Sequence, residues 1–132
     1  MIQRTQRRLS RIEDFFSRLL TKGKVSKNIF VGDLPPTTSK DWSDFVLVDI
    51  GQQKDRNAYS IGYANIYLYA RPKGSPPRKN VALLDKMEEA LSNAIDTSNN
   101  TSYSIKELYR DCGYDTNRQF HYNIVSVSIF TK

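Results

Sequence analysis

The chain carries few of the side chains that perform covalent chemistry in proteins. His121 is its one histidine and Cys112 its one cysteine. A nucleophilic cysteine requires a base beside it, and His121 is the candidate that the sequence offers. The histidine lies in a strand pattern and the cysteine in a turn pattern, and a lone histidine in a strand is usually structural. These two residues therefore do not favour a hydrolytic site.

Carboxylates that could bind a divalent metal ion are scattered along the chain. Glu88 and Glu89 are neighbours in a predicted helix, where adjacent side chains point in different directions. The sequence contains no phosphate-binding glycine loop, no dinucleotide-binding turn and no paired-cysteine motif. We therefore predict a protein without catalytic activity, cofactor or metal. Of the three functions that the sequence suggests, a metal-dependent nuclease that uses Asp49, Glu88 or Glu89 ranks last.

Basic residues form two clusters, and the net charge of the chain is +6. The first eleven residues contain four positive charges and no negative charge, at Arg4, Arg7, Arg8 and Arg11. A proline- and glycine-bearing loop supplies the second cluster, at Arg71, Lys73, Arg78 and Lys79. Such clusters suit either a nucleic-acid backbone or an acidic protein surface.

Tyrosines alternate with small and aliphatic residues over residues 59–69, which is the clearest strand pattern in the chain. Tyr63, Tyr67 and Tyr69 fall on one face of this strand, and the small apolar residues fall on the other. Exposed tyrosines on a sheet can stack nucleic-acid bases. Because tyrosine is amphipathic, the same residues also suit a half-buried sheet face or a subunit interface. We favour either of these two roles over the stacking of bases.

Length and composition indicate a single folded domain over residues 1–132. Hydrophobic residues make up 39% and charged residues 26% of the chain, as is usual for globular domains. We expect no membrane span and no secretion signal, since no apolar run is long enough. One cysteine cannot form an internal disulfide, which is consistent with folding in a reducing compartment.

Helical spacing of apolar residues predicts two main helices. The first follows a basic arm at residues 1–11 and ends near Gly23, where glycine would suit a left-handed C-cap. The second covers residues 81–95 and begins at Asn80 as the N-cap, and the segment 81–97 carries four acidic residues against Lys86. A basic end and an acidic helix on one molecule would attract each other between copies of the chain.

Apolar and β-branched runs predict strands at residues 28–31, 45–50, 62–70 and 120–130. Residues 51–57 are polar and are predicted to form the tip of a hairpin, and residues 111–117 a turn. Residues 103–109 fit either a strand or a short helix. This order predicts an α+β fold, with a mostly antiparallel sheet and two main helices packed on one face.

The order of these elements resembles the tail-terminator, or tail-completion, proteins of long-tailed bacteriophages. The resemblance covers nearly the whole chain. It includes a short strand that ends in LPP at residues 34–36, a tyrosine-rich strand that ends in YA at residues 69–70, and a helix that contains LLDKMEEAL at residues 83–91. The loop at 97–102 and the segment at 103–109 do not match the pattern.

The resemblance implies a virion protein, made in the host cytoplasm, that forms a hexameric ring at the head-proximal end of the tail. Such a ring stops polymerisation of the tail tube protein, joins the tube to the head–tail connector and lets DNA pass through its lumen. A small basic nucleic-acid-binding domain is the alternative function. The candidate interface residues are Arg4, Arg7, Arg8, Arg11, Lys54, Arg56, Tyr63, Tyr67, Tyr69, Arg71, Lys73, Arg78, Lys79, Glu88 and Glu89.

Overall fold

A computed structural model describes residues 2–35, 37–55, 60–98 and 103–131, and for residues 2–10, 52–55 and 60 it describes the backbone alone. The described residues form two helices and five strands. In chain order they are α1 (Ile2–Lys22), β1 (Ile29–Val31), β2 (Asp44–Asp55), β3 (Ser60–Ala70), α2 (Val81–Ser98), β4 (Tyr103–Asp115) and β5 (Phe120–Thr131).

The strands form one sheet in the order β1-β2-β3-β5-β4. β1 runs parallel to β2, and all the other neighbours in the sheet are antiparallel. Because β3 pairs along its whole length with β2 on one side and β5 on the other, it is the central strand. The α+β fold with a mostly antiparallel sheet, as expected from the sequence, is confirmed.

Both helices pack on the same face of the sheet and enclose the main core. α1 contributes Phe16 and Leu20, and α2 contributes Leu84, Met87 and Leu91, all with side chains that are almost fully buried. The sheet contributes Val46, Val48, Ala64, Ile66, Leu68, Val125, Val127 and Ile129. Burying each of the larger side chains stabilises the fold by roughly 1.5–3 kcal/mol. Neither described helix is long and apolar enough to cross a membrane.

The end of α1 lies unusually close to α2. A Cβ atom added to Gly23 would come 2.7 Å from the Cβ of Ala94 and 3.1 Å from the carbonyl oxygen of Leu19. The left-handed residue at this helix end is Lys24, with φ of 55°. The prediction that Gly23 provides the left-handed C-cap was therefore wrong, because glycine is needed here for the close approach of two helices.

The ends of several elements differ from their predicted positions. α1 already begins at Ile2, so most of the predicted arm at residues 1–11 belongs to the helix. β2 continues to Asp55, because residues 53–55 pair with residues 60–62 of β3 beyond a bulge. The predicted hairpin tip at residues 51–57 is thus mostly strand, and residues 56–59 lie outside the described part.

The segment at residues 103–109, which fits either a strand or a short helix by sequence, belongs to the strand β4. This strand also includes most of the predicted turn at residues 111–117. The strand pairs with β5 from Tyr103, opposite Thr131, to Asp115, opposite Phe120. The turn itself occupies residues 116–119. Local sequence left residues 103–109 open between a strand and a short helix, because the stability of this strand comes from the long partner strand rather than from its own polar residues.

Replacing Gly23 by alanine is expected to destabilise the fold by about 1–3 kcal/mol, because the added methyl group overlaps Ala94. Urea unfolding monitored by circular dichroism measures this loss. The double variant Gly23→Ala/Ala94→Gly should recover part of it, whereas Lys24→Gly should be neutral or stabilising at its left-handed position. An unchanged unfolding midpoint for Gly23→Ala would contradict the close helix contact.

Candidate functional site

The face of the sheet opposite the helices carries the tyrosines singled out from the sequence. Tyr63, Tyr67 and Tyr69 all lie on this face, as predicted, but their exposure differs. Tyr63 is 49% exposed, whereas Tyr69 is only 5% exposed, and Tyr67 lies between these two in exposure. Tyr122 of β5 lies opposite Tyr69 and contacts both Tyr67 and Tyr69. The tyrosines therefore form a packed cluster at one end and an open surface at the other.

An aromatic group covers the packed end of this face. The ring of Phe45 stacks on Tyr69 with centroids 4.2 Å apart, and it meets Phe120 edge-on at 5.0 Å. Trp42 lies 5.7 Å from Phe45 between ring centroids. Phe30 and Leu34 pack against the same cluster. This second, smaller core means that Tyr69 is a structural residue rather than a free binding surface.

Two arginines hold the chain segment that covers the aromatic cluster. Arg71 donates hydrogen bonds to the carbonyl oxygens of Trp42, at 2.9 Å, and Ser39, at 3.0 Å. Its guanidinium carbon lies 4.6 Å from the ring centroid of Phe120, which is a cation–π distance. Arg118 donates to the carbonyl of Pro35 and to Thr38 Oγ1, each at 2.8 Å.

These contacts change the interpretation of the basic loop. Arg71 was a candidate for contacts with a partner, but the fold already uses its donors. Arg118 was not predicted, because its partners lie about eighty residues earlier in the chain. Lys73, Arg78 and Lys79 are exposed, on a turn closed by two backbone hydrogen bonds between Lys73 and Arg78. Three basic side chains of this loop, those of Lys73, Arg78 and Lys79, therefore remain available to a partner.

The acidic helix also divides into internal and exposed carboxylates. Glu88 accepts a hydrogen bond from Asn123 Nδ2 at 3.1 Å and one from Arg110 at 3.3 Å. Arg110 also pairs with Glu107 at 3.0 Å, and Ser92 bonds to both members of that pair. Glu88 thus joins α2 to the sheet.

The exposed carboxylates of α2 form a separate surface. Glu89 is exposed, as are Asp85 and Asp96. Positions 85, 89 and 96 are four and seven residues apart, so their side chains lie on one side of the helix. We call these three residues the acidic stripe.

Phe15 of α1 and the exposed basic loop lie at opposite ends of the sheet. The exposed lysines and arginine at residues 73–79 follow the end of β3, where Ala70 pairs with His121. Phe15 of α1 stacks on Tyr103 with ring centroids 4.6 Å apart, and Tyr103 belongs to the other end of the sheet.

The remaining candidates can be placed only in part. Arg11 lies in α1 and is exposed. Arg4, Arg7 and Arg8 also belong to α1, and Lys54 belongs to β2, but their side chains lie outside the described part of the chain. Arg56 lies outside it altogether. The described structure therefore brings Tyr67 and Tyr69 together. It does not bring described side chains of the two basic clusters together.

His121 and Cys112, the two side chains considered for nucleophilic chemistry, lie on neighbouring strands. Burial first, and the positive charge of Lys79 second, lower the pKa of His121, whose Nδ1 atom is buried without a hydrogen-bond partner in the described structure. The imidazole contacts the ring of Tyr114. Cys112 is exposed and pairs with Asn123 rather than with His121. Within the described part, no group of three or more histidine, cysteine or acidic residues is placed to hold a metal ion.

Neither the models of known protein families nor the curated proteins contain a match to this chain.

Replacing Arg71 by alanine is expected to destabilise the fold by about 2 kcal/mol, since two charged hydrogen bonds and a ring contact are lost. Trp42 is the only tryptophan of the chain, so its fluorescence should shift to longer wavelength as the covering segment loosens. The matched control Arg78→Ala removes an exposed arginine and should leave both quantities unchanged. Equal behaviour of the two variants would contradict the structural role of Arg71.

Burial raises the pKa of Tyr69 to about 12, with a smaller contribution from Asp115. In the unfolded chain this phenol ionises near its ordinary value of about 10. The unfolded state therefore loses its proton first, and the free energy of unfolding should fall as the pH rises from about 10 to about 12. Tyr69→Phe should show a smaller fall over this interval in urea unfolding. Tyr63→Phe, at an exposed position, is the control and should match the unsubstituted chain.

Proposed function

We propose that this chain is a structural virion protein of a long-tailed bacteriophage, a tail terminator that forms a ring on the end of the tail tube. The ring would stop growth of the tube and join it to the head–tail connector, with DNA passing through its lumen. The protein acts by contact and has no catalytic activity. It is made in the host cytoplasm and resides at the head-proximal end of the tail.

The order of the structural elements supports this proposal. The helix, short strand, hairpin, helix and final strand on which the resemblance to tail terminators depends all occur in the fold. β4 adds one strand, at the segment of the chain where the family pattern does not match. The proposal therefore depends on the arrangement of elements rather than on a diagnostic motif.

The feature that carries the proposal is that one chain combines an exposed acidic stripe with an arginine-rich segment of sequence. The acidic stripe, Asp85, Glu89 and Asp96, is exposed on α2. The first eleven residues, most of them in α1, carry four arginines without a negative charge. A contact between unlike surfaces of identical subunits is heterologous, and heterologous contacts form a ring when the rotation between subunits closes on itself. A hexamer is the ring size that the family resemblance implies.

The contacts with other virion proteins would use the loops at the two ends of the sheet. Lys54 and Arg56 belong to or follow the end of β2, and Lys73, Arg78 and Lys79 follow the end of β3. Lys54 and the group after β3 lie at opposite ends of the sheet, because β2 and β3 are antiparallel. One end would contact the tail tube and the other the connector.

The double variant Arg7→Glu/Arg8→Glu is expected to prevent ring formation, because it replaces attraction to the acidic stripe by repulsion. Native mass spectrometry over a series of protein concentrations, with negative-stain images of the same samples, measures the oligomer. Circular dichroism checks that the variant subunit remains folded. The matched control Lys73→Glu/Arg78→Glu makes the same change of charge on the other basic cluster and should still form rings.

A ring that forms normally with the first variant would exclude the arginines as the interface. The tail-terminator function itself is tested by adding the purified chain to the polymerising tail tube protein of its phage. Shorter tubes with a ring at one end are the expected result. Unchanged tube lengths would contradict the function.

Nucleic-acid binding is the alternative function, and the exposed Lys73, Arg78 and Lys79 favour it. Against it stand the burial of Tyr69 and the use of the Arg71 guanidinium inside the fold. Fluorescence anisotropy of labelled duplex DNA at increasing salt concentration distinguishes the two functions. Binding that weakens steeply with salt would support the alternative, because phosphate contacts release counterions.

A further inference from the structure

Two neighbouring cavities lie along the contact between the two helices. One has a volume of about 660 Å³ and is lined by α1, Gly23 and the second half of α2. The other has a volume of about 580 Å³ and lies where the segment after α1 passes the first half of α2. Because Ala90 lines both cavities, we treat them as one feature and call it the interhelical groove. It follows α2 from Leu83 to Ser98, which is about 22 Å of helix.

The floor of the interhelical groove is apolar. Phe15 and Ala90 are half-buried there, and so is Leu83 in the smaller cavity. Leu19 and Met87 lie deeper and belong to the main core. Binding sites in proteins usually have volumes of about 300–1,000 Å³ and a largely apolar lining with a few polar groups. The groove has these dimensions, and its floor suits the apolar side chains of a ligand.

Lysines surround this floor. Four of them line the interhelical groove and are exposed, namely Lys22, Lys24, Lys27 and Lys86. Three come from α1 or the segment after it, whereas Lys86 comes from α2, so both sides of the groove carry positive charge. In the described part of the chain, none of the four lysines forms an ion pair. Their charges are therefore available to a ligand.

Two carboxylates line the smaller cavity. Asp44 accepts hydrogen bonds from the hydroxyl groups of Ser26 and Ser43, so the fold already uses it, whereas Asp41 is exposed. In the larger cavity the charged lining residues that the structure describes are basic, since Arg18 joins Lys22 there. The described lining of the groove thus contains five basic side chains against two acidic ones. An anionic ligand is favoured.

Lys24 occupies a backbone conformation that lysine seldom adopts. Its φ of 55° is in the left-handed region, where a Cβ atom is disfavoured and glycine is the usual residue. Folding alone gives no reason for a lysine here, because glycine would fit the end of the helix better. The side chain of Lys24 lines the interhelical groove. Since strained backbone positions cluster at binding sites, this position indicates that the charge of Lys24 is used there.

We propose that the interhelical groove binds an acidic amphipathic helix of a partner protein. The apolar side of such a helix covers the floor of the groove, and its carboxylates lie against the lysines on the two sides. Helices commonly bind grooves in this way, with apolar anchors at positions i, i+3, i+4 and i+7. A groove of about 22 Å accommodates about fifteen residues of helix. The inference goes beyond the proposed ring and does not depend on it.

The chemistry of the groove favours this partner over two others. A second copy of the chain offers the acidic stripe, but the apolar face of α2 is buried in its own core, at Leu84, Met87 and Leu91. The stripe therefore lacks the apolar anchors that the floor requires. Duplex DNA presents charged phosphates along its surface and has no apolar side chains to cover the floor. A helix with both carboxylates and apolar side chains matches both parts of the groove.

Fluorescence anisotropy with labelled synthetic peptides tests the proposal on the full chain. Three peptides of about fifteen residues share leucines at helical spacing and hold glutamate, glutamine or lysine at the other positions. We expect the glutamate peptide to bind roughly tenfold or more tightly than the other two, with an affinity that falls as salt is added. A glutamate peptide with serine in place of leucine should also bind roughly tenfold less tightly, because it cannot cover the floor.

Variants of the chain locate the binding site. Lys22→Glu/Lys86→Glu is expected to weaken binding of the glutamate peptide roughly tenfold or more, with circular dichroism as the check of folding. The matched control Lys73→Glu/Arg78→Glu makes the same change of net charge outside the groove and should bind as the unsubstituted chain does. Lys24→Gly separates binding from folding, because it should leave the midpoint of urea unfolding equal or higher while it weakens binding.

Equal binding of the glutamate, glutamine and lysine peptides would overturn the inference. So would an unchanged affinity of Lys22→Glu/Lys86→Glu, or an equal loss in the control. Two further results would assign the groove to another partner if the glutamate peptide does not bind. Labelled duplex DNA that binds the chain and is released by Lys22→Glu/Lys86→Glu identifies a nucleic-acid surface. Self-assembly that this variant prevents in native mass spectrometry identifies a second copy as the occupant.

Discussion

The central strand β3 has two apolar faces, and both must be removed from water. On one face, Ile66 and Leu68 are fully buried under the two helices. On the other, Tyr69 is buried beneath Phe45 and the segment that leads into β2. A sheet of this kind usually has one face packed and one face solvated. Here the second face is covered at one end and open at the other, and the rest of the architecture follows from that division.

Covering the second face requires charged residues inside the fold. Arg71 and Arg118 bind carbonyl oxygens of residues 35–42, which would otherwise lack donors at the edge of the aromatic cluster. Hydrogen bonds from charged donors are stronger than neutral ones, and a planar guanidinium can satisfy two acceptors at once. The positive net charge of the chain therefore overstates the charge that is available to a partner. Among the described side chains, those that remain exposed include Arg11 of α1 and Lys73, Arg78 and Lys79 after β3.

The same reasoning applies to the acidic residues of α2. Glu88 is used to attach the helix to β4 and β5, whereas Asp85, Glu89 and Asp96 remain at the surface. This attachment also engages Arg110 and Glu107 of β4. Internal stability and the character of the surface are thus connected, since each buried polar contact changes what the subunit presents to its neighbours. A protein that acts by assembly would depend on this connection.

Much of the fold follows from local periodicity. The alternation in β3 and the helical spacing of α2 identified both elements and the faces that they bury, because burial on a regular backbone imposes a period on the sequence. Asn80 was correctly placed as an N-cap, and its Oδ1 accepts a hydrogen bond from Leu83. The faces of Tyr63 and Tyr67 were likewise predictable, because neighbouring residues of a strand point to opposite sides.

Contacts between distant residues decided the rest. The polar sequence of β4 has no clear period, and its strand conformation depends on pairing with β5. Gly23 looked like a helix cap, but its role is to let Ala94 approach. Arg71 looked like part of a binding loop, whereas carbonyl groups about thirty residues earlier hold its guanidinium. A sequence pattern reports which face of an element avoids water, but only the tertiary structure determines which groups meet there.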